Sequence, residues 1–152
     1  MAVVRKKSNL FPNFVAGDVP PDPLSTRGRL ICAAFAAANE ATDSSGSMYK
    51  LADLPADCVL DALTTINVGS WGFAQVNIGT SGDIDALITV AKSAGTYVTP
   101  VTRAGANHEK RLWEVLGLSA PPASNVISLY AHASAAATAA GSIKGEIWYR
   151  YH

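Results

Sequence analysis

The sequence predicts a mainly β fold: a β-sandwich or jelly-roll-like domain over residues 28–152 with one or two short helices, preceded by an extended N-terminal arm over residues 1–27. Three observations carry this. β-prone runs recur between clusters of Gly, Pro, Asn, Asp and Ser at about ten-residue intervals, the texture of a sandwich or barrel. The last run, SIKGEIWYRYH (142–152), alternates at period two, with Ile143, Ile147, Tyr149 and Tyr151 against Lys144, Glu146 and Arg150. Finally, Pro12, Pro20, Pro21 and Pro23 crowd the beginning of the chain, where missing backbone donors and extended geometry rule out a regular element.

The arm is unusually apolar for a solvated tail. Leu10, Phe11, Phe14 and Val15 are its candidate partner-binding residues, and Arg5, Lys6 and Lys7 form a short basic run. The alanines of RGRLICAAFAAANEATD favour a helix. The segment nevertheless lacks charges at helical spacing and ends in the turn cluster DSSGS, so Arg29–Asn39 is read as a strand of small side chains. SMYKLADLP is a second strand ending at Pro55. Asp57–Val68 is a third, with Leu60, Ala62, Thr64, Ile66 and Val68 on one face. A Gly69-Ser70 turn then predicts a hairpin into WGFAQVNIG, where Ala74, Val76 and Ile78 alternate with Phe73, Gln75 and Asn77.

GTSGD reads as a loop. DIDALITVAKSA (83–94) predicts a short helix or turn capped by Asp83, with Ala86, Leu87 and Val90 on one face and Gly95 ending it. Thr96–Thr102 is β-prone but broken by Pro100. In HEKRLWEVLGL, Leu112 and Leu116 sit four apart, so a helical turn competes with a strand. NVISLYAHA (125–133) is strand-like, and ASAAATAAG is a small-residue linker or hairpin tip before the final strand.

The bulk composition narrows the function. A chain of 152 residues buries about 68–70% of its unfolded surface, enough for a core without staples. Charged residues are only 16% of the chain, against about 25% in ordinary soluble domains, which suits a surface covered by partners. Twelve basic residues balance twelve acidic ones, and such neutrality argues against direct nucleic-acid binding. No apolar run reaches the length of a membrane span, and MAVVRKKSNLF lacks the pattern of a secretory leader. The expectation is a protein made in a cytoplasm, without membrane partners. Cys32 and Cys58 stand apart among apolar neighbours and are expected to be buried thiols.

No constellation for catalysis emerges. His108, His132 and His152 are not near a nucleophile elbow, and His132 reads as a satisfied strand histidine. His108-Glu109 lacks metalloprotease spacing, and GDID lacks the remaining positions of a calcium loop. In GTSGD an aspartate falls where a bound phosphate would lie. The expectation is a protein that is not an enzyme, with no catalytic, cofactor-binding or metal residues. Trp148 falls on the polar side of the last strand and joins the candidate contact residues, since tryptophan is enriched at interface hot spots.

Three segments in order, YKLADLPADCVLDALT (49–64), VNIGTSGDIDALITVA (76–91) and AAGSIKGEIWYRY (139–151), resemble the small virion proteins of tailed bacteriophages, in particular head decoration or cement proteins. The resemblance covers about residues 45–152, and residues 106–118 match nothing in it. It implies a protein made in the host bacterium that sits on the capsid exterior, often as a homotrimer. There it would bridge major capsid protein subunits and stabilise the head. Two further readings fit the same texture: another virion component (head-fibre base, neck or tail), or a carbohydrate-binding jelly-roll module.

Overall fold

In the computed structural model, residues 29–150 are described. The arm of residues 1–27, with Leu10, Phe11, Phe14 and Val15, lies outside them, as does His152.

The described chain is mainly β, with nine strands in two antiparallel sheets. They are β1 (Leu30–Asn39), β2 (Met48–Pro55), β3 (Val59–Leu60), β4 (Thr65–Asn67), β5 (Gln75–Gly79), β6 (Ile88–Ala91), β7 (Tyr97–Val98), β8 (Val126–His132) and β9 (Gly141–Arg150). One sheet has the order β1-β9-β4-β7, with β3 also on β9, and the other β2-β8-β5-β6. Four of the pairings, β1 with β9, β2 with β8, β4 with β7 and β5 with β6, make the chain double back on itself as one antiparallel ribbon whose tip is β5–β6. Rolling that ribbon brings β9 beside β4 and β8 beside β5, and these two pairings complete the sheets. The inner faces meet in a core that runs from Trp71, Phe73, Val76 and Ile143 at one end to Leu54, Leu60, Leu129 and Ile147 at the other.

The expected strand Asp57–Val68 is interrupted. Leu60 pairs with Tyr149 and Thr65 with Glu146, so four residues on this side answer two on β9. The chain bows out at Asp61–Leu63, held by the Leu63 N–H donating to Asp61 Oδ1 at 3.0 Å. The excess is even, so the period-two facing survives: Leu60, Thr64, Ile66 and Val68 are all buried. β2 shows the odd case. A one-residue bulge at Leu51 resets its parity, and Leu51 and Leu54 both reach the core three positions apart.

Three expectations are corrected. Gly69-Ser70 does not turn a hairpin: β4 and β5 lie in different sheets, and the chain crosses between them with Trp71 buried in the crossing. Residues 83–94 do not form a capped helix. They give a turn, then β6, then a 3-10 turn at Lys92–Ala94. The β-branched run Ile88-Thr89-Val90 satisfies its backbone against β5, where Val76 faces Val90. Cys32 is not buried: it lies on the outward face of β1, whereas Cys58 is in the core. The competition at Leu112 resolves toward helix, a single turn over Leu112–Val115 that buries Leu112 and Leu116.

The turn after β1 is tied to β2 by the Tyr49 hydroxyl, which donates to Asp43 Oδ2 at 2.5 Å. That bond, with the Glu40 N–H, holds the Asp43 carboxyl below its usual range. Burial, then the Asp43 hydrogen bond and charge, push the Tyr49 phenol up to about 12. The unfolded chain therefore ionises Tyr49 near pH 10 while the folded chain keeps its proton. The contribution of Tyr49 to stability is intact below about pH 10 and is lost as pH rises toward the folded value. Alkaline unfolding followed by circular dichroism is expected to begin there, and Tyr49→Phe is expected to flatten that limb.

Candidate partner-binding surface

β1 is an edge strand of ten residues, LICAAFAAAN, and every residue pairs on one side with β9 without a register break. Its other edge has no strand partner among the described residues. Natural edge strands carry charges, prolines or bulges that block further pairing, or are very short. β1 has none of these. Its outward side chains are Leu30, Cys32, Ala34, Ala36 and Ala38, all exposed. Small methyl-bearing side chains let another backbone approach closely and leave the strand's own hydrogen-bonding groups accessible. Its inward residues explain why it holds: Phe35 lies over Gly145, where an added Cβ would come within 2.8 Å of the Phe35 ring and of the Thr65 carbonyl.

Trp148 stands beside this edge. It lies opposite Cys32 on β9 and is half-buried. Its indole N–H donates to Glu146 Oε2 at 3.0 Å. Its backbone is pinned from the other side: the Asp61 N–H donates to its carbonyl at 2.7 Å, the Thr64 hydroxyl donates to the same carbonyl at 3.0 Å, and its own N–H donates to Thr64 Oγ1 at 3.0 Å. The bowed segment thus fixes the tryptophan's position on the outer face, and Arg150 lies 3.7 Å from Asp61 next to it. The sequence pattern finds Trp148 by its parity but not this support, since Thr64 is 84 residues away.

The Cys32 thiol is raised above its ordinary value by desolvation and then by the Glu146 charge, so it stays protonated near neutral pH and is a poor nucleophile. Cys58, buried beside Asp57, is pushed up to about 12. His132 is buried and its Nε2 lies 2.8 Å from the Thr80 carbonyl, so it ties strand to loop. Asp83 belongs to the same turn: the Thr80 N–H donates to its carbonyl at 2.7 Å. Trp71 is fully buried, whereas Trp113 and Trp148 are both half-buried. Among the described residues, no three His, Cys, Asp or Glu side chains gather to hold a metal ion, and no helix is long and apolar enough to cross a membrane.

Family models, curated proteins and solved structures were all compared with this chain, and none matches it.

Proposed function

We propose that this protein is a bacteriophage capsid decoration protein of jelly-roll type. In this reading it is a non-catalytic homotrimer that binds the outside of the head and bridges major capsid protein subunits. The pairing order of the ribbon supports the jelly-roll reading, since two interlocked Greek keys give such an order. The observation that carries the function is β1: a long, uncharged edge strand whose other side has no strand partner among the described residues, and which follows the arm closely in sequence. An edge of this kind recruits an added strand through backbone hydrogen bonds, with side-chain pockets adding specificity. A cement protein needs contact area rather than chemistry, and an apolar arm and an edge strand without charges or bulges can each supply it. Many copies on one lattice add avidity beyond any single contact.

Deleting residues 1–24 tests this. The truncated protein is expected to keep its β-sheet circular dichroism and thermal midpoint, while its occupancy on capsids in a sedimentation assay falls about tenfold, a loss of about 1.4 kcal/mol per site. Unchanged occupancy defeats the arm's role. Labelled protein found only at the tail vertex of particles would transfer the protein to the neck or tail.

A further inference from the structure

The outer face of the first sheet holds a second feature, which reaches from β7 across to Ala34 on β1. A groove of about 400 Å³ crosses its centre. Strand register sets its side chains in two rows. Tyr97 on β7 faces Asn67 on β4, which faces Lys144 on β9. In the next row Thr65 faces Glu146, which faces Ala34 on β1. Gly145 and Phe35 complete the lining.

Each group has hydrogen-bonding capacity to spare. Asn67 Oδ1 accepts the Gly69 N–H at 3.0 Å, which orients the amide and leaves its Nδ2 hydrogens to donate. Glu146 uses Oε2 for the Trp148 indole, and among the described residues Oε1 has no partner. Among the described residues Lys144 makes no ion pair. Thr65 Oγ1 donates to the Leu63 carbonyl at 3.0 Å and can still accept. Tyr97 is 64% exposed, the largest exposure among the big hydrophobic side chains of the described residues.

We infer that this groove binds a neutral oligosaccharide, with the Tyr97 ring as its stacking platform and Asn67, Lys144 and Glu146 as hydrogen-bond partners. The charge pattern selects the class. Lys144 and Glu146 lie two positions apart on one face of β9, so an anion meets the carboxylate and a cation meets the ammonium. A sugar hydroxyl both donates and accepts, and so satisfies ammonium, amide and carboxylate together. Its ring also carries a C–H face that matches an exposed aromatic, whose body is apolar and whose tip is polar. A concave site with an apolar platform and a few convergent polar groups is the usual form of a small-ligand pocket. The inference does not depend on capsid attachment, which is assigned to the β1 edge and the arm.

The test is an amide NMR titration of the full-length isotope-labelled protein with cellotriose, maltotriose, mannotriose and N-acetylchitotriose, and with sialyllactose as the charged comparison. At least one neutral sugar is expected to shift the Asn67, Tyr97, Lys144 and Gly145 amides. Tyr97→Ala is expected to weaken that sugar's binding about tenfold or more, while Tyr97→Phe, which keeps the ring face, retains most of it. Tyr97 is exposed, so both variants should fold, and their amide spectra report this directly. The inference fails if no neutral sugar shifts these amides, if only sialyllactose does, or if Tyr97→Ala binds as well as the parent.

Discussion

Replacing Trp71 with alanine is expected to lower the unfolding free energy by about 3–5 kcal/mol, the range for deleting a large buried aromatic. Trp71 is fully buried where the chain crosses from one sheet to the other. Its ring meets Tyr49 edge-on at 5.1 Å and 81°, and Phe73 at 5.0 Å. These three come from β2, from the crossing and from the approach to β5, so one side chain joins segments that backbone hydrogen bonds do not link. The Lys92 ammonium donates to the Trp71 carbonyl and pins the same residue to the turn after β6. Domains of this kind have about 5–15 kcal/mol in total, so the variant should be marginal. Urea denaturation checks it: the midpoint should fall steeply with the m-value unchanged. Trp71→Phe should cost less, because the indole N–H has no hydrogen-bond partner among the described residues and only volume is lost. A loss below about 1 kcal/mol for Trp71→Ala would mean that the site collapses around the cavity and that the aromatic cluster is not what joins the sheets.

How much of this was legible in the sequence follows from the range of the interactions. β8 and β9 are long, half-buried strands, and their own alternation announces them. The pattern puts Leu60, Thr64, Ile66 and Val68 on the right face because an even insertion leaves parity untouched, but it also puts Ala62 there, which lies half-buried in the bow at Asp61–Leu63. The Gly69-Ser70 hairpin failed for the opposite reason. Its two strands have the right pattern, but a turn signal does not say whether the next strand pairs or crosses to the other sheet. Of the two readings of residues 83–94, the turn holds at its start and the helix fails, because Ala86, Leu87 and Val90 fit a helical face as well as they fit partial burial beside β5, and the partner that decides lies elsewhere in the chain. The outer face of the first sheet is half legible. The outward side of Trp148 follows from parity alone, whereas the edge position of β1 among the described strands and the exposure of Cys32 depend on which strand ends the sheet. That order is set by β1 pairing with β9, more than a hundred residues away.

Asn39 is the clearest case of a residue whose importance no local pattern reveals, and Asn39→Ala is expected to cost about 2–6 kcal/mol, since two buried peptide groups lose their partners at about 1–3 kcal/mol each. Asn39 ends β1 and is 2% exposed. Its Oδ1 accepts the Gly72 N–H at 3.0 Å, and its Nδ2 donates to the carbonyls of Ala139 at 2.9 Å and Glu40 at 3.1 Å. One amide thus ties the last residue of β1 to the inter-sheet crossing and to the segment that enters β9. Gly72 has no room for a side chain, because a Cβ would fall against that amide and the Ala139 carbonyl. The amide cannot be replaced by its acid. In Asn39→Asp the carboxylate keeps the acceptor for Gly72 but turns a second oxygen toward the Ala139 carbonyl. Burial and that opposed dipole should raise the new carboxyl's pKa. The folded state then binds its proton more tightly than the unfolded chain, so the variant should be closest to the parent below the unfolded value near pH 4 and lose ground as pH rises through the folded value. Thermal midpoints of parent, Asn39→Ala and Asn39→Asp at acid and neutral pH separate the cases. The alanine deficit should be the same at both, and the aspartate deficit should grow toward neutrality. An aspartate deficit that does not change with pH would show that Asn39 acts by shape alone and not through its donated hydrogen bonds.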